Sequence, residues 1–278
     1  MMPFVWRTAK ALNERLSSIF NTYSYSESLL NQINMKKLLA SSGWLLLLVP
    51  FISFAGTKTL IGTVNHHTLS SETRKVSDFS QISSGGSFNV YVKMGSAESL
   101  RIEADRDELD NIETVVEGGV LKIKTKKSSV NWGWGSRSRV NIYITAKSLN
   151  GLAISGSGNM EVEGTIRTQR LDVKVSGSGN ILLSTAAKTF NASLSGSGNI
   201  KVSGSTETSN VSISGSGEFE GGKLITNESQ IKVSGSGEAT VHANKTLNAA
   251  VSGSGDIFYS GNAQVNQSKS GSGKITRI

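Results

Sequence analysis

The chain contains no cysteine, only two prolines, three histidines and few aromatic residues. Without cysteine it can hold no disulfide, thiolate zinc site, iron–sulfur cluster, cysteine nucleophile or lipidated N-terminal cysteine. The histidines stand at 66, 67 and 242, far apart except for the adjacent pair, and no His-Glu-x-x-His or similar ligand spacing occurs. No metal ligand set and no cofactor is therefore expected. Nor is there an uninterrupted apolar run of about 20 residues, the length a membrane-spanning helix needs, because Ser41, Ser42, Gly43 and Pro50 break the one candidate.

That broken run has another meaning. Met35-Lys36-Lys37 supplies a positive start, Leu45 to Phe54 an apolar centre, and Ser53-Phe54-Ala55 small residues at the −3 and −1 positions of a cleavage site. Residues 35–55 thus read as a secretory signal peptide, with an uncleaved anchor as the alternative. Residues 1–34 precede it with polar sequence an ordinary signal does not need, and Met35 is a ready start, so 1–34 read as a mis-assigned start or an extended leader. Removal of residues 1–55 leaves 24 basic and 19 acidic residues, a net +5 against +8 for the whole chain. With no Lys/Arg-rich run and no interleaved stacking aromatics, an exported chain of this charge gives nucleic-acid binding no support. The final compartment is expected to be the periplasm, the outer membrane surface or the extracellular space.

What the chain has is glycine, thirty residues of it, alongside many Val, Ile and Leu. Ser-Gly-Ser-Gly occurs at 155–158, 176–179, 195–198, 214–217, 234–237, 252–255 and 270–273, at spacings of 21, 19, 19, 20, 18 and 18 residues. Self-similarity at such a period marks a solenoid. Apolar residues alternate before each of the first six motifs, as in Leu152 and Ile154, Val173 and Val175, or Ile231 and Val233, and the alternation resumes afterwards at Met160 and Val162 or Ile181 and Leu183. Counting by twos from Ile154 passes through Gly156 and Gly158 to Met160, which places glycines inward and serines outward. Inward glycines suit a corner where neighbouring backbones meet and a Cβ would collide. Coils of 18–21 residues at about 3.3 Å each give a circuit of about 60 to 70 Å, enough for two or three short strands. The fold expected is all-β, a right-handed parallel β-helix, with its regular coils over 152–278 inside one domain at 76–278. At the last motif the apolar pair is replaced by Gln267 and Lys269, a polar end that blocks further pairing.

Residues 76–150 read as a less regular lead-in, with strands at Phe88–Val92, Leu100–Ile102, Val120–Ile123 and Val140–Ile144, a helical turn at Asp105–Asn111 and a hairpin at Gly118-Gly119. Residues 56–75 lack periodicity and read as a flexible leader. Phe79-x-x-Ile82 followed by Phe88-x-Val90, Val120-Leu121-Lys122-Ile123, and Leu149-x-x-Leu152-x-Ile154 running into a recurring Ser-Gly-Ser-Gly-Asn resemble the head GIN domain family of autotransporter adhesins, from about Phe79 to Ile278. The resemblance implies a secreted bacterial β-helical protein and supplies no catalytic residues. With the solenoid reaching Ile278, no C-terminal membrane barrel is expected.

Two features could carry chemistry. Asn159, Asn180, Asn199, Glu218, Glu238, Asp256 and Lys274 follow the seven motifs and would stack about 4.8 Å apart, so the carboxylates of Glu218, Glu238 and Asp256 form either a cation site or a solvated face. Trp132-Gly133-Trp134-Gly135-Ser136-Arg137-Ser138-Arg139 sets two indoles and two guanidiniums on a Gly/Ser loop. Trp132, Trp134, Arg137 and Arg139 are the candidate ligand-binding residues, suited to sugar rings or a membrane interface, while the tryptophans could equally cover a sheet edge. No histidine stands near a motif serine, so nucleophilic catalysis has no support. The function expected is a non-catalytic, adhesin-like binding or structural module of the cell envelope, with a glycan or envelope component as partner. The alternative is a polysaccharide lyase or hydrolase on the same architecture. N-terminal sequencing of the exported protein should begin at Gly56, whereas a stable product retaining residues 36–55 would establish an anchor.

Overall fold

The computed structural model describes residues 69–126 and 139–278. Residues 1–68, which hold the expected signal peptide at 35–55 and most of the expected flexible leader at 56–75, and Trp132, Trp134 and Arg137 lie outside them. In chain order the elements are β1 (Leu69–Arg74), β2 (Gln81–Gly85), β3 (Asn89–Met94), β4 (Ser99–Asp105), α1 (Arg106–Asn111), β5 (Ile112–Glu117), β6 (Val120–Thr125), β7 (Asn141–Ala146) and β8 (Gly151–Gly156). Five long bent strands follow: β9 (Asn159–Gly177), β10 (Asn180–Gly196), β11 (Asn199–Gly215), β12 (Glu218–Gly235) and β13 (Glu238–Gly253). The chain closes with β14 (Asp256–Ser260), β15 (Gln264–Ser270) and β16 (Ile275–Arg277).

From β8 onward the strands pair in parallel, each coil on the one before, as the repeat requires. The register keeps like residues together, with Gly196 opposite both Gly177 and Gly215. Inward residues therefore form columns. One runs Ile82, Leu152, Val173, Ala192, Val211, Ile231 and Ala249, all buried. A second runs Val90, Met160, Ile181, Ile200, Phe219, Ala239 and Ile257, equally buried. Full burial of a Val, Leu or Ile contributes about 1.5–3 kcal/mol, so each column is a row of similar increments. Phe219 interrupts the aliphatic pattern, and two residues later the inward position is Gly221, where a Cβ would lie 2.3 Å from the Phe219 ring. A buried Ser209 Oγ donates to Ser229 Oγ at 2.9 Å, so the two small polar groups in the column of Phe190 satisfy one another.

The Ser-Gly-Ser-Gly corners explain why glycine recurs twice per coil. Gly196 has φ +114°, and a Cβ there would sit 2.3 Å from the Gly177 carbonyl oxygen. At Gly198 the conformation is ordinary, but a Cβ would lie 2.2 Å from the Gly179 oxygen. The serine and asparagine N–H groups bridge the coils there, Ser197 to Gly177 O at 2.9 Å and Asn199 to Gly179 O at 3.1 Å. Ser84-Gly85-Gly86-Ser87 is a further, degenerate corner. Gly86 N–H donates to Ser155 O at 3.0 Å, and a Cβ on Gly156 would meet Gly86 O at 2.8 Å.

The lead-in departs from chain order. β2 and β3 pair with β8 and β9 on one side and with β6 and β7 on the other, so β6 and β7 stack outside β2 and β3 although they come later. Beyond them the pairing turns antiparallel: β5 hairpins onto β6 through Gly118 (φ +58°) and Gly119 (φ +76°), while β4 pairs β7 and β1 pairs β4. Antiparallel strands at the end of a parallel stack use up its open edge. The helical turn expected at Asp105–Asn111 is α1. Residues 69–74, expected within a flexible leader, are instead the edge strand β1. Its burial alternates only between exposed and half-buried, so no apolar period signals it, and it is held by the β4 backbone and by Arg74, which donates to Leu109 O at 2.9 Å and Ile112 O at 2.7 Å.

Gly196→Val should lower the stability by several kcal/mol, on the order of the larger single-substitution effects, since the side chain meets a carbonyl and the backbone a disfavoured φ. A melting temperature within about two degrees of the parent would exclude this account of the corner.

Candidate functional site

Outward positions are those between buried neighbours. Tyr91 lies between Val90 and Val92, and Tyr143 between Ile142 and Ile144, all four buried, so both phenols leave the outer face of the wall. β3 and β7 are adjacent with Tyr91 opposite Tyr143, and the rings stack with centroids 5.3 Å apart at 20°. On the far side of Tyr143 its register partner Arg101 holds its guanidinium carbon 4.4 Å from the ring centroid and pairs with Glu103. Burial, then the neighbouring Glu103 carboxylate, pushes the Tyr143 phenol above its ordinary pKa, so it stays protonated and donates. Aromatic stacking adds about 0.5–1.5 kcal/mol and an exposed cation–π contact about 0.5–1 kcal/mol, enough to fix ring orientation on a rigid sheet. Tyr143 is thereby covered on both faces. Tyr91, 41% exposed, is covered on one.

The same row continues across the coils through Glu161, Leu182, Lys201 and Glu220, each opposite the last. Lys201 and Glu220 form an ion pair, and Leu182 is 43% exposed. Two grooves lie along this face. One, of about 280 Å³, is lined by Tyr91, Glu161, Leu182, Lys201 and Glu220 with Asn89, Asn159, Asn180 and Asn199 at its side. The other, of about 680 Å³, is lined by Arg101, Tyr143, Tyr91, Glu161, Lys93 and Glu163 among others. They meet at Tyr91 and Glu161.

The column after the corners is partly as expected and longer. Asn89 and Asn141 extend it, and their amides form a one-directional ladder: Asn180 donates to Asn159 at 2.8 Å, Asn159 to Asn89 at 3.1 Å and Asn89 to Asn141 at 3.2 Å. Asn199 turns aside to donate to Glu220 at 3.0 Å, and its Oδ1 is buried without a hydrogen-bond partner. A second ladder precedes the corners, with Asn210 donating to Asn191 at 2.9 Å and Asn191 to the Asp172 carboxylate at 2.8 Å. Sequence reading missed this one, although Asn, Asp or Gln at the same offset before six of the motifs (Asp172, Asn191, Asn210, Gln230, Asn248 and Asn266) was its signal.

Glu218, Glu238 and Asp256 do stand in register, but they do not converge on an ion. Asp256 Oδ1 accepts from the Lys274 N–H at 2.7 Å, and among the described residues no group of three or more potential ligands is placed to hold a metal. Desolvation, followed by repulsion from Glu220 and Glu238, raises the Glu218 pKa. Of the loop candidates, Arg139 alone lies within the described residues, exposed and two residues before β7, while Trp132, Trp134 and Arg137 lie outside them. His242 stands between a serine outside the repeated motif and an asparagine, with Nδ1 2.9 Å from Ser260 Oγ and Nε2 3.1 Å from Asn244 Oδ1. No helix among the described residues is long and apolar enough to cross a membrane.

Residues 78–263 match the family described as "Putative auto-transporter adhesin, head GIN domain". The chain belongs to this family. No curated protein matches it. Among solved structures, a "putative adhesin" from Bacteroides fragilis is similar at 26% identity and TM-score 0.69, over 76% of this chain and 97% of that one. A "putative lipid binding protein" from Parabacteroides distasonis is similar at 27% identity and TM-score 0.61, over 77% and 98%. A "putative adhesin" from the same species, at 24% identity, TM-score 0.62 and coverage of 77% and 98%, shares the fold. The family match stops at residue 263, short of the polar last coil.

The raised pKa of Glu218 means that the folded state prefers the protonated carboxyl, so this stabilisation is present at low pH and lost as pH rises through the folded pKa. Glu218→Gln should therefore raise the melting temperature at pH 7 by about a degree or two, with the gain vanishing in acid where the parent carboxyl is itself neutral. A gain independent of pH would place its origin elsewhere than in charge.

Proposed function

We propose that the protein is an exported, non-catalytic binding module of the cell envelope that presents the face bearing Arg101, Tyr143 and Tyr91 to glycans. The observation that carries this reading is the ordered stack of two tyrosines and an arginine on the outer side of a rigid wall, beside grooves edged by amides and carboxylates. Aromatic faces take the apolar side of a sugar ring, and amides and carboxylates take its hydroxyls. Family membership and the resemblance to adhesins support a surface role. The loop carrying Trp132, Trp134 and Arg137 runs into β7 through Arg139, four residues before Tyr143, and is proposed as a second contact for the same ligand. A lipid ligand, suggested by the description of one structural relative, finds less support, because the exposed Leu182 and Tyr91 are separated by the Glu161 carboxylate. The hydrolase alternative draws on the Ser260, His242 and Asn244 contacts alone.

The mature protein should be screened against envelope and host glycans and against lipid vesicles, with both retention and cleavage recorded. Retention on a glycan without new reducing ends is expected. Replacing Tyr91 and Tyr143 together by Ala should weaken it by about tenfold or more while leaving the β-rich circular dichroism spectrum intact. Unchanged retention by the folded double variant, or cleavage of the glycan, would overturn the proposal.

A further inference from the structure

The two tyrosines stack along the solenoid axis, from one strand to the next, so their ring planes stand across that axis and not flat on the wall. This orientation restricts what can bind. The direction of a linear polysaccharide lies roughly within the planes of its sugar rings, so a chain laid along the axis would present edges, not faces, to Tyr91. A sugar stacked on the free face of Tyr91 must stand on edge over the wall, with the rest of its chain leaving sideways or outward.

The neighbouring residues fit such a guest. The strand beside Tyr91 carries Glu161 and the next carries Leu182, both in the same row. Tyr91 and Leu182 are thus two strand spacings apart, about 9 to 10 Å, which leaves room for one saturated ring in contact with both, since carbon atoms pack at about 3.5–4.0 Å. Glu161 forms the floor. The groove of about 280 Å³ is at the small end for ligand pockets, which start at about 300 Å³. The asparagine ladder stops at its side, where Asn199 Oδ1 is buried without a partner and the next amide down the ladder is Asn180. Lys201 is paired with Glu220, Lys93 with Glu163 and Arg101 with Glu103, which leaves Glu161 as the uncompensated charge of the slot among the described residues. An unpaired carboxylate on the floor accepts from hydroxyl and amide N–H groups and repels anions.

We propose that this slot binds one sugar ring on edge, the terminal or branch residue of a neutral glycan, a hexose or N-acetylhexosamine, and not the internal stretch of an extended or anionic polysaccharide. The proposal rests on the glycan reading above and adds to it the mode of binding.

The test is a chain-length series on the mature protein: methyl glycosides of glucose, galactose, mannose, N-acetylglucosamine and N-acetylgalactosamine, linear oligosaccharides ending in the same sugars, cyclodextrins, which have no terminus, and a glucuronide. The methyl glycoside of the preferred sugar should bind within about threefold of its longest oligosaccharide, while cyclodextrin and glucuronide should not bind. Leu182→Trp fills the slot from an exposed position and should weaken binding by about tenfold or more, with Leu182→Ala, which only opens it, costing less. Affinity that climbs about tenfold or more with chain length, with Leu182→Trp neutral and the double tyrosine variant still defective, would overturn the single-ring slot and leave the glycan reading standing. Failure of every saccharide to bind would overturn both.

Discussion

Every other feature of this protein depends on the contact of backbone with backbone at the corners. Gly196 over Gly177 and Gly198 over Gly179 leave no space for a Cβ, and the N–H groups of Ser197 and Asn199 close the gap to the coil beneath. Hydrogen bonds of this kind bring little net stability each, about 1 kcal/mol, yet they fix register, because a slip of one residue would drive a serine Cβ into a carbonyl. Register in turn makes columns. The inward ones become the apolar core and the outward ones become ladders of like residues.

That conversion of sequence period into spatial order explains the surface as well as the core. An amide at one offset from the motif becomes a polarised chain of amides, each donating toward the irregular end of the stack. A carboxylate at the same offset becomes a stack of like charges, and the Glu218 pKa is raised by burial first, then by repulsion from Glu220 and from Glu238 above it in the stack. The tyrosine face follows from the same rule operating at the irregular end, where Tyr91 and Tyr143 occupy matching positions in Phe88-Asn89-Val90-Tyr91-Val92 and Val140-Asn141-Ile142-Tyr143-Ile144.

The regular coils were legible in the sequence because period and parity are both carried by local residues: the glycine motif, and Val or Ile at alternate positions. The helical turn at 106–111 and the Gly118-Gly119 hairpin were legible for the same reason. β1 was not, since a polar edge strand is defined by its neighbour's backbone and leaves no apolar mark. The stacking of β6 and β7 outside β2 and β3 was not either, because parity says which face a strand buries and nothing about which strand it adjoins. The site suffered from this directly. Outward aromatics at 91 and 143 could be read as such, but their meeting, and that of Arg101 with Tyr143, is a product of the inverted order. Trp132 and Trp134 are the conspicuous aromatics of the sequence, because they are concentrated in one Gly/Ser-rich stretch.

The inverted order bears on how the molecule comes into being. β3 is flanked by β7 on one side and β9 on the other, so neither of its edges is satisfied until chain 50 or more residues downstream has arrived. Pairings of such separation are slow to close relative to local ones. In a chain that crosses a membrane N-terminus first, the segment bearing Tyr91 would emerge early and wait, its edges held open, for the segments that complete the wall. The later coils need only the one before them as a template. Assembly of the solenoid therefore divides into a single slow closure at the irregular end and a succession of quick additions, and the tyrosine face is completed with the former.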